Sequence, residues 1–310
     1  MINFFSSGIP IGQSQCGIPL ATSHLSQADL VGPDPLKVEN SFVLENVPLV
    51  HLPTLDLKIL GSPRKPIKCL MLHGGPGLDC SYFLPFLAPL QQNASLLFYT
   101  QGSSGALTMQ GLLRELEAIF KLFKNDEVIV FAHSFGAALI FEYIKTYGSD
   151  SVTALVLSSW IYDTQWIARY FSKFPNDIEE SYKTNDAYKA QMLKIADRYF
   201  TSFFVDRGKR IFENIKYNAA LSNAIWQESL ADFDGRQVVR DFKKPILSLS
   251  GADDLITDSD YVHSGASLNA NIQEIQINNA GHFPFAEREE DFNEAVRRFI
   301  ESCSKQRRSV

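Results

Sequence analysis

From about residue 41 the chain alternates short apolar runs with longer amphipathic stretches, and that rhythm leaves few folds open. Lys68–His73, Ser95–Thr100, Glu127–Ala132, Val152–Ser158, Pro245–Ser250 and Ile272–Ile277 have the length and apolar content of strands inside a packed domain. Between them, Met109–Phe123 and Phe135–Tyr147 repeat apolar residues at helical spacing. Glu287–Cys303 reads as a last amphipathic helix whose basic end suits the helix dipole. Alternating strands and helices imply crossover connections. The expected class is therefore α/β, with a mostly parallel, doubly wound sheet, helices on both faces and right-handed crossovers.

The rhythm breaks once. Residues 159–240 contain no convincing strand, only helical stretches rich in aromatic residues, so they are expected to form a helical cap inserted into the core. The core then comprises 41–158 and 241–310. Trp166, Tyr170 and Phe174 fall at steps of four, on one helix face, which packs the lobe against the core or lines a substrate pocket. Residues 1–40 carry no basic leader, and Gly8, Pro10, Gly12, Gly17 and Pro19 interrupt their apolar content. They read as an extension rather than a secretory signal.

Charge and cysteine usage narrow the partners. Against 35 Asp plus Glu stand 29 Lys plus Arg, a formal charge of -6, which argues against nucleic acid as the main partner. Apolar runs such as Val128–Ala132 and Ala154–Leu157 are far too short to span a membrane. Cys16, Cys69, Cys80 and Cys303 show no close pairing, so neither a disulfide framework nor a zinc site is expected. This usage fits a cytoplasmic protein.

The chemistry concentrates at strand ends. In Val128-Ile-Val-Phe-Ala-His-Ser-Phe-Gly a buried strand runs into Ser134 and then directly into a helix. A serine at such a turn is held in a strained backbone geometry with its hydroxyl raised above the sheet. The turn needs small residues two before and two after, and Ala132 and Gly136 meet that need. The amide of Phe135, at the helix start, favours developing negative charge. The plainer reading of Ser134 is a helix N-cap. His282 follows the last strand candidate, in Asn279-Ala-Gly-His-Phe-Pro-Phe-Ala-Glu, and reaches the same carboxyl edge of the sheet. Asp254 lies just past Pro245–Ser250, and Asp253 beside it competes for the same role. His263 competes only weakly with His282, because it falls in an expected helix with Thr257 as N-cap. The order Ser134, Asp254, His282 is one of the orders in which a nucleophile, an orienting acid and a general base occur. His73-Gly-Gly-Pro-Gly77 also follows a strand, and Gly74 or Gly75 there offers an unobstructed N–H to an oxyanion. Cys80, just beyond, is expected to be structural or to line the site mouth.

These motifs resemble α/β-hydrolases of the proline iminopeptidase type. The resemblance runs from about residue 40 to 302. It is carried by His73-Gly-Gly-Pro-Gly77, the following Tyr82-Phe-Leu-Pro-Phe-Leu, the serine elbow, Gly251-Ala-Asp-Asp254 and Gly281-His282-Phe283, with an echo of an Asp-Trp-Asp run in Asp232-Phe233-Asp234. It implies an α/β-hydrolase fold and a serine hydrolase with a Ser134, His282, Asp254 triad and an acyl-enzyme. It also implies a small-molecule or short-peptide substrate and no cofactor or metal. The chain departs from the family where Asp-Gln-Arg-Gly-x-Gly is usual, reading Thr100-Gln-Gly-Ser-Ser-Gly105. A cap glutamate that binds the substrate amine in one branch of the family aligns with Ser222-Asn223-Ala224, where the neutral Asn223 cannot give an ammonium a carboxylate's charge-assisted bond, so Glu213 or Glu228 would substitute, while Asn223 and, from the aromatic stripe, Trp166 stay candidate pocket residues. Release of an N-terminal residue from small peptides and hydrolysis of a carboxylic ester both remain open, with a non-catalytic binding protein as a third reading. Oligomeric state is not legible.

Overall fold

The buried runs form a seven-stranded sheet in a computed structural model that describes residues 55–177 and 181–307. The expected extension, 1–40, lies outside the described residues. The described residues all fall within one compact unit.

The strands are β1 (Leu57–Leu60), β2 (Ile67–Leu72), β3 (Ser95–Tyr99), β4 (Glu127–His133), β5 (Ala154–Ser158), β6 (Ile246–Gly251) and β7 (Ile272–Ile277). Their order is β1-β3-β2-β4-β5-β6-β7, with every pair parallel except β1 and β3. The six expected strands appear at these positions. The seventh, β1, is the addition: Leu57 pairs with Tyr99 and Leu60 with Leu96. Its four residues alternate between buried and half-buried, the mark of an edge strand, and that is too short a pattern to stand out in sequence. β2 to β6 are buried along their whole length, apart from the first residue of β4, because helices cover both faces.

Helix α1 (Met109–Leu122) starts at Thr108, whose side chain accepts the Gly111 N–H. It carries the buried Glu115, which accepts from the Tyr99 hydroxyl and from the amides of Gly102 and Ser104 at 2.9 Å each. In this chain a helix carboxylate therefore holds the loop after β3, where Thr100-Gln-Gly-Ser-Ser-Gly105 lacks charged residues. Helix α2 (Phe135–Tyr147) follows β4 without a linker.

Between β5 and β6 the chain is helical: α3 (Gln165–Lys173), α4 (Asn185–Lys194), α5 (Ala196–Tyr199), α6 (Val205–Asn214), α7 (Ala219–Ile225) and α8 (Arg236–Asp241). Hydrogen bonds tie this segment to the glycine-rich loop after β2. Asn218 N–H donates to the Gly77 carbonyl at 2.7 Å, and the Tyr188 hydroxyl to that of Pro76 at 2.8 Å. The expected aromatic stripe is shorter than its spacing suggested. Helix α3 stops at Lys173, Phe174 is its C-cap, and the Phe174 ring lies under the Arg198 guanidinium at 4.3 Å. The chain then returns through α9 (Ser259–Ala266) to β7 and α10 (Glu289–Arg307). Among the described residues no helix is long and apolar enough to cross a membrane.

The junction of β4 and α2 is closely packed against the neighbouring strand. A Cβ placed on Gly136 would meet the Leu72 carbonyl oxygen at 2.3 Å, a backbone atom of the neighbouring strand that cannot yield. Gly136→Ala is expected to destabilise the fold by at least about 2 kcal/mol, read as a lowered denaturant midpoint, whereas Ala at the open Gly105 meets no atom and bears only the strain of its positive φ of 88.

Candidate active site

The loops after β2, β4, β6 and β7 converge at the carboxyl edge of the sheet, the usual place for a site in an open α/β fold. Ser134 stands between β4 and α2 with φ 52 and ψ −116, one of three described non-glycine residues with positive φ. Its N–H donates to the Ser158 carbonyl of β5 at 3.0 Å, and its side chain makes no capping hydrogen bond. The hydroxyl is thus not spent on the helix, as it would be in a plain N-cap.

Asp254 and His282 meet. Asp254 is 3% exposed and His282 1%. His282 Nδ1 lies 2.9 Å from Asp254 Oδ2 and 3.2 Å from Oδ1. A carboxylate accepts, so Nδ1 carries the proton and Nε2 is left as the free ring nitrogen. Asp254 also accepts from Ile256 N–H at 2.8 Å, Thr257 N–H at 3.0 Å and the Thr257 hydroxyl at 2.9 Å, which together fix its plane. Asp253 is exposed and turns its N–H to the Ala280 carbonyl. Thr257, expected to cap the next helix, instead serves Asp254. Asp258 takes the cap, accepting from Tyr261 N–H. His263 lies in α9, exposed beside Glu274.

The glycine-rich loop is held on both sides of Gly74. The Gly74 N–H donates to the Tyr82 hydroxyl at 2.5 Å, and the Gly74 carbonyl accepts from His73 Nδ1–H at 2.8 Å. His73 Nε2 in turn accepts the Gln101 N–H at 3.0 Å, which leaves Nδ1 as the donor. Burial pushes the His73 ring down to about 4, so it stays neutral in this arrangement. Two consequences follow for an oxyanion. Gly74, whose N–H is taken, is the weaker donor of the two glycines. The Gly75 N–H shares a peptide plane with the anchored Gly74 carbonyl, so its direction is set by the His73 contact.

Ser134, His282, Gly74 and Gly75 line one small cavity of about 30 Å³ with Leu78, Tyr188, Met192, Tyr199 and Phe283. Tyr188, Met192 and Tyr199 come from the helical segment and make that wall apolar and aromatic. The four residues suggested for substrate binding lie elsewhere. Glu213 and Glu228 are exposed. The Asn223 amide clamps Tyr182, accepting its N–H at 2.9 Å and donating to its carbonyl at 2.8 Å. Trp166 packs against Trp226 with ring centroids 5.8 Å apart. Cys80 is buried against Thr100, and burial raises its thiol to about 11.

Comparison with known proteins gives consistent neighbours. A family model described as alpha/beta hydrolase fold matches residues 70–289. A proline iminopeptidase of Saccharolobus solfataricus is 28% identical over 137 residues, 41% of this chain and 43% of that protein. One of Heyndrickxia coagulans is 24% identical, with 75% of this chain and 90% of the relative covered. Among solved structures, an esterase from Rhodococcus sp. ECU1013 superposes with a TM-score of 0.64 at 18% identity, over 80% of this chain and 94% of the other.

One carboxylate near the site escaped the sequence analysis. Glu287 closes the motif that contains His282, and it joins that loop to the helical segment. Its Oε1 accepts Gly281 N–H at 2.8 Å, and its Oε2 accepts Thr201 N–H at 2.9 Å and the Thr201 hydroxyl at 2.7 Å. Burial outweighs these donors and raises its pKa from 4.5 to about 7. Between those values the folded chain retains a proton that the unfolded chain has lost. The associated stability is fully present below about pH 4.5 and is lost as the pH rises through about 7. The melting-temperature advantage of the native chain over Glu287→Gln is therefore expected to shrink from pH 5 to pH 8. A difference constant across that range contradicts the assignment.

Proposed function

The chain belongs to the alpha/beta hydrolase fold family, and from that premise we propose that it is a serine hydrolase working through an acyl-enzyme on Ser134. The contact of Asp254 with His282, which lines the same cavity as Ser134, carries this reading. In the proposed reaction His282 Nε2 takes the Ser134 hydroxyl proton as the oxygen attacks the substrate carbonyl. Asp254 holds the ring in the Nδ1–H tautomer and stabilises it while it is charged. The amides of Phe135 and Gly75 receive the oxyanion, and His282 then returns its proton to the leaving group. Water attacks the acyl-enzyme with His282 again as base, releasing the acid and freeing Ser134.

For the substrate we favour a short peptide or related small amide from which an N-terminal residue is released. The support is that relatives aligned over most of the chain carry the name proline iminopeptidase. A second reading, hydrolysis of a small carboxylic ester, is favoured by one observation: Glu213 and Glu228 are exposed, and neither lines the cavity. Proline p-nitroanilide and p-nitrophenyl acetate assayed side by side separate the two. Peptidase function predicts the anilide to have the higher kcat/KM. An ester preferred by a hundredfold or more, unchanged in Glu213→Gln and Glu228→Gln, contradicts it.

The roles within the triad have their own test. Asp254→Asn is expected to lower kcat by about 10⁴-fold, because the amide no longer selects the Nδ1–H tautomer. Asp253→Asn is expected to stay within about twofold of the native chain. Equal losses in the two variants would remove Asp254 from its role.

A further inference from the structure

Three loops of the site are joined by two buried side chains that the proposed reaction does not use. Tyr82 is 2% exposed and His133, directly before Ser134, is 1% exposed. The Tyr82 hydroxyl lies 2.5 Å from the Gly74 nitrogen and 2.8 Å from His133 Nδ1. His133 Nε2 lies 2.9 Å from the His282 carbonyl oxygen.

The chemistry of the partners orders the protons. A carbonyl oxygen only accepts, so His133 Nε2 carries a hydrogen. Burial holds the His133 ring well below its usual pKa, and the neighbouring His282 and His73 act in the same direction, so the ring is neutral and Nδ1 is bare. Tyr82 therefore donates to His133 Nδ1 and accepts from Gly74. A single directed chain results: Gly74 N–H to Tyr82, Tyr82 O–H to His133, His133 N–H to the His282 carbonyl. The first link steadies a stretch of two glycines, which have no side chains of their own to fix the backbone. The last link fixes the backbone of the residue whose ring faces Asp254.

We infer that Tyr82 is a positioning residue, whose hydroxyl sets the alignment of the Gly74–Gly75 loop with the His282 loop by way of His133. This rests on the serine hydrolase reading above. The ring of Tyr82 is held independently of its hydroxyl, against Phe283 at 5.3 Å and stacked on Phe285 at 5.9 Å. Tyr82→Phe thus deletes the link and leaves the packing in place. What it disturbs is geometry that matters in the transition state, where small misplacements of reacting groups are costly.

The experiment uses p-nitrophenyl acetate as probe, with Tyr82→Phe, Phe285→Leu and Ser134→Ala beside the native chain. Tyr82→Phe is expected to lower kcat by about 10- to 100-fold with KM within about twofold. Phe285→Leu, which thins the same aromatic box without touching the hydroxyl, is expected to lower the melting temperature while kcat stays within about twofold. In histidine ¹⁵N spectra, Tyr82→Phe is expected to shift the ring resonances of both His133 and His282. A native-like kcat in Tyr82→Phe, or an equal loss of kcat in Phe285→Leu, overturns the inference. A native chain no more active than Ser134→Ala removes the hydrolase reading itself and this inference with it, a pattern distinct from an active native chain matched by Tyr82→Phe.

Discussion

The arrangement depends on one strained turn. At the end of β4 the backbone enters positive φ at Ser134, a conformation costing a non-glycine residue about 1–3 kcal/mol. The surroundings hold it there. The Ser134 N–H is bound to β5 through the Ser158 carbonyl, its own carbonyl accepts from Ala137, and the next turn of helix is pressed so closely on Leu72 that only glycine fits at position 136. Because β4 lies between β2 and β5, the turn stands at the centre of the sheet edge. The glycine-rich loop follows β2, and the loops bearing Asp254 and His282 follow β6 and β7, on the other side.

A central turn makes a site only if the loops around it keep their register, and few bonds achieve that here. Gly74 is anchored by His73 and Tyr82, His282 by His133 and by its N–H to the Tyr199 carbonyl, and Gly281 by Glu287. The Tyr199 and Glu287 contacts reach into the helical segment, which also supplies Tyr188, Met192 and Tyr199 to the cavity wall. The segment that shapes the cavity is thus bonded to the loop that holds His282.

How much of this was legible in sequence follows from the range of each interaction. The buried strands and the helix after Ser134 are local patterns of apolar residues, and they stand close to where those patterns put them. Ser134, Asp254 and His282 were legible as residue types just beyond strands, and the place of Asp254 three residues after Gly251 favours it over Asp253, although which carboxylate faces His282 is seen only in the fold. β1 was missed because four edge residues, two of them buried and two half-buried, make too short a pattern. Thr257 was misread as a cap because Asp258, one residue on, satisfies the same local rule. Glu287 resembled the acidic start of a surface helix, and its partners at Thr201 are 86 residues away. Tyr82 and His133 are 51 residues apart, and nothing in their local sequence signals that they meet.

Covalent trapping asks whether Ser134 is an activated nucleophile, as proposed above. The folded chain is treated with a fluorophosphonate, its intact mass is measured, and the modified peptide is mapped. One adduct per chain is expected, on Ser134, lost in Ser134→Ala and after denaturation. An unmodified native chain, or an adduct on another residue that survives Ser134→Ala, would contradict it.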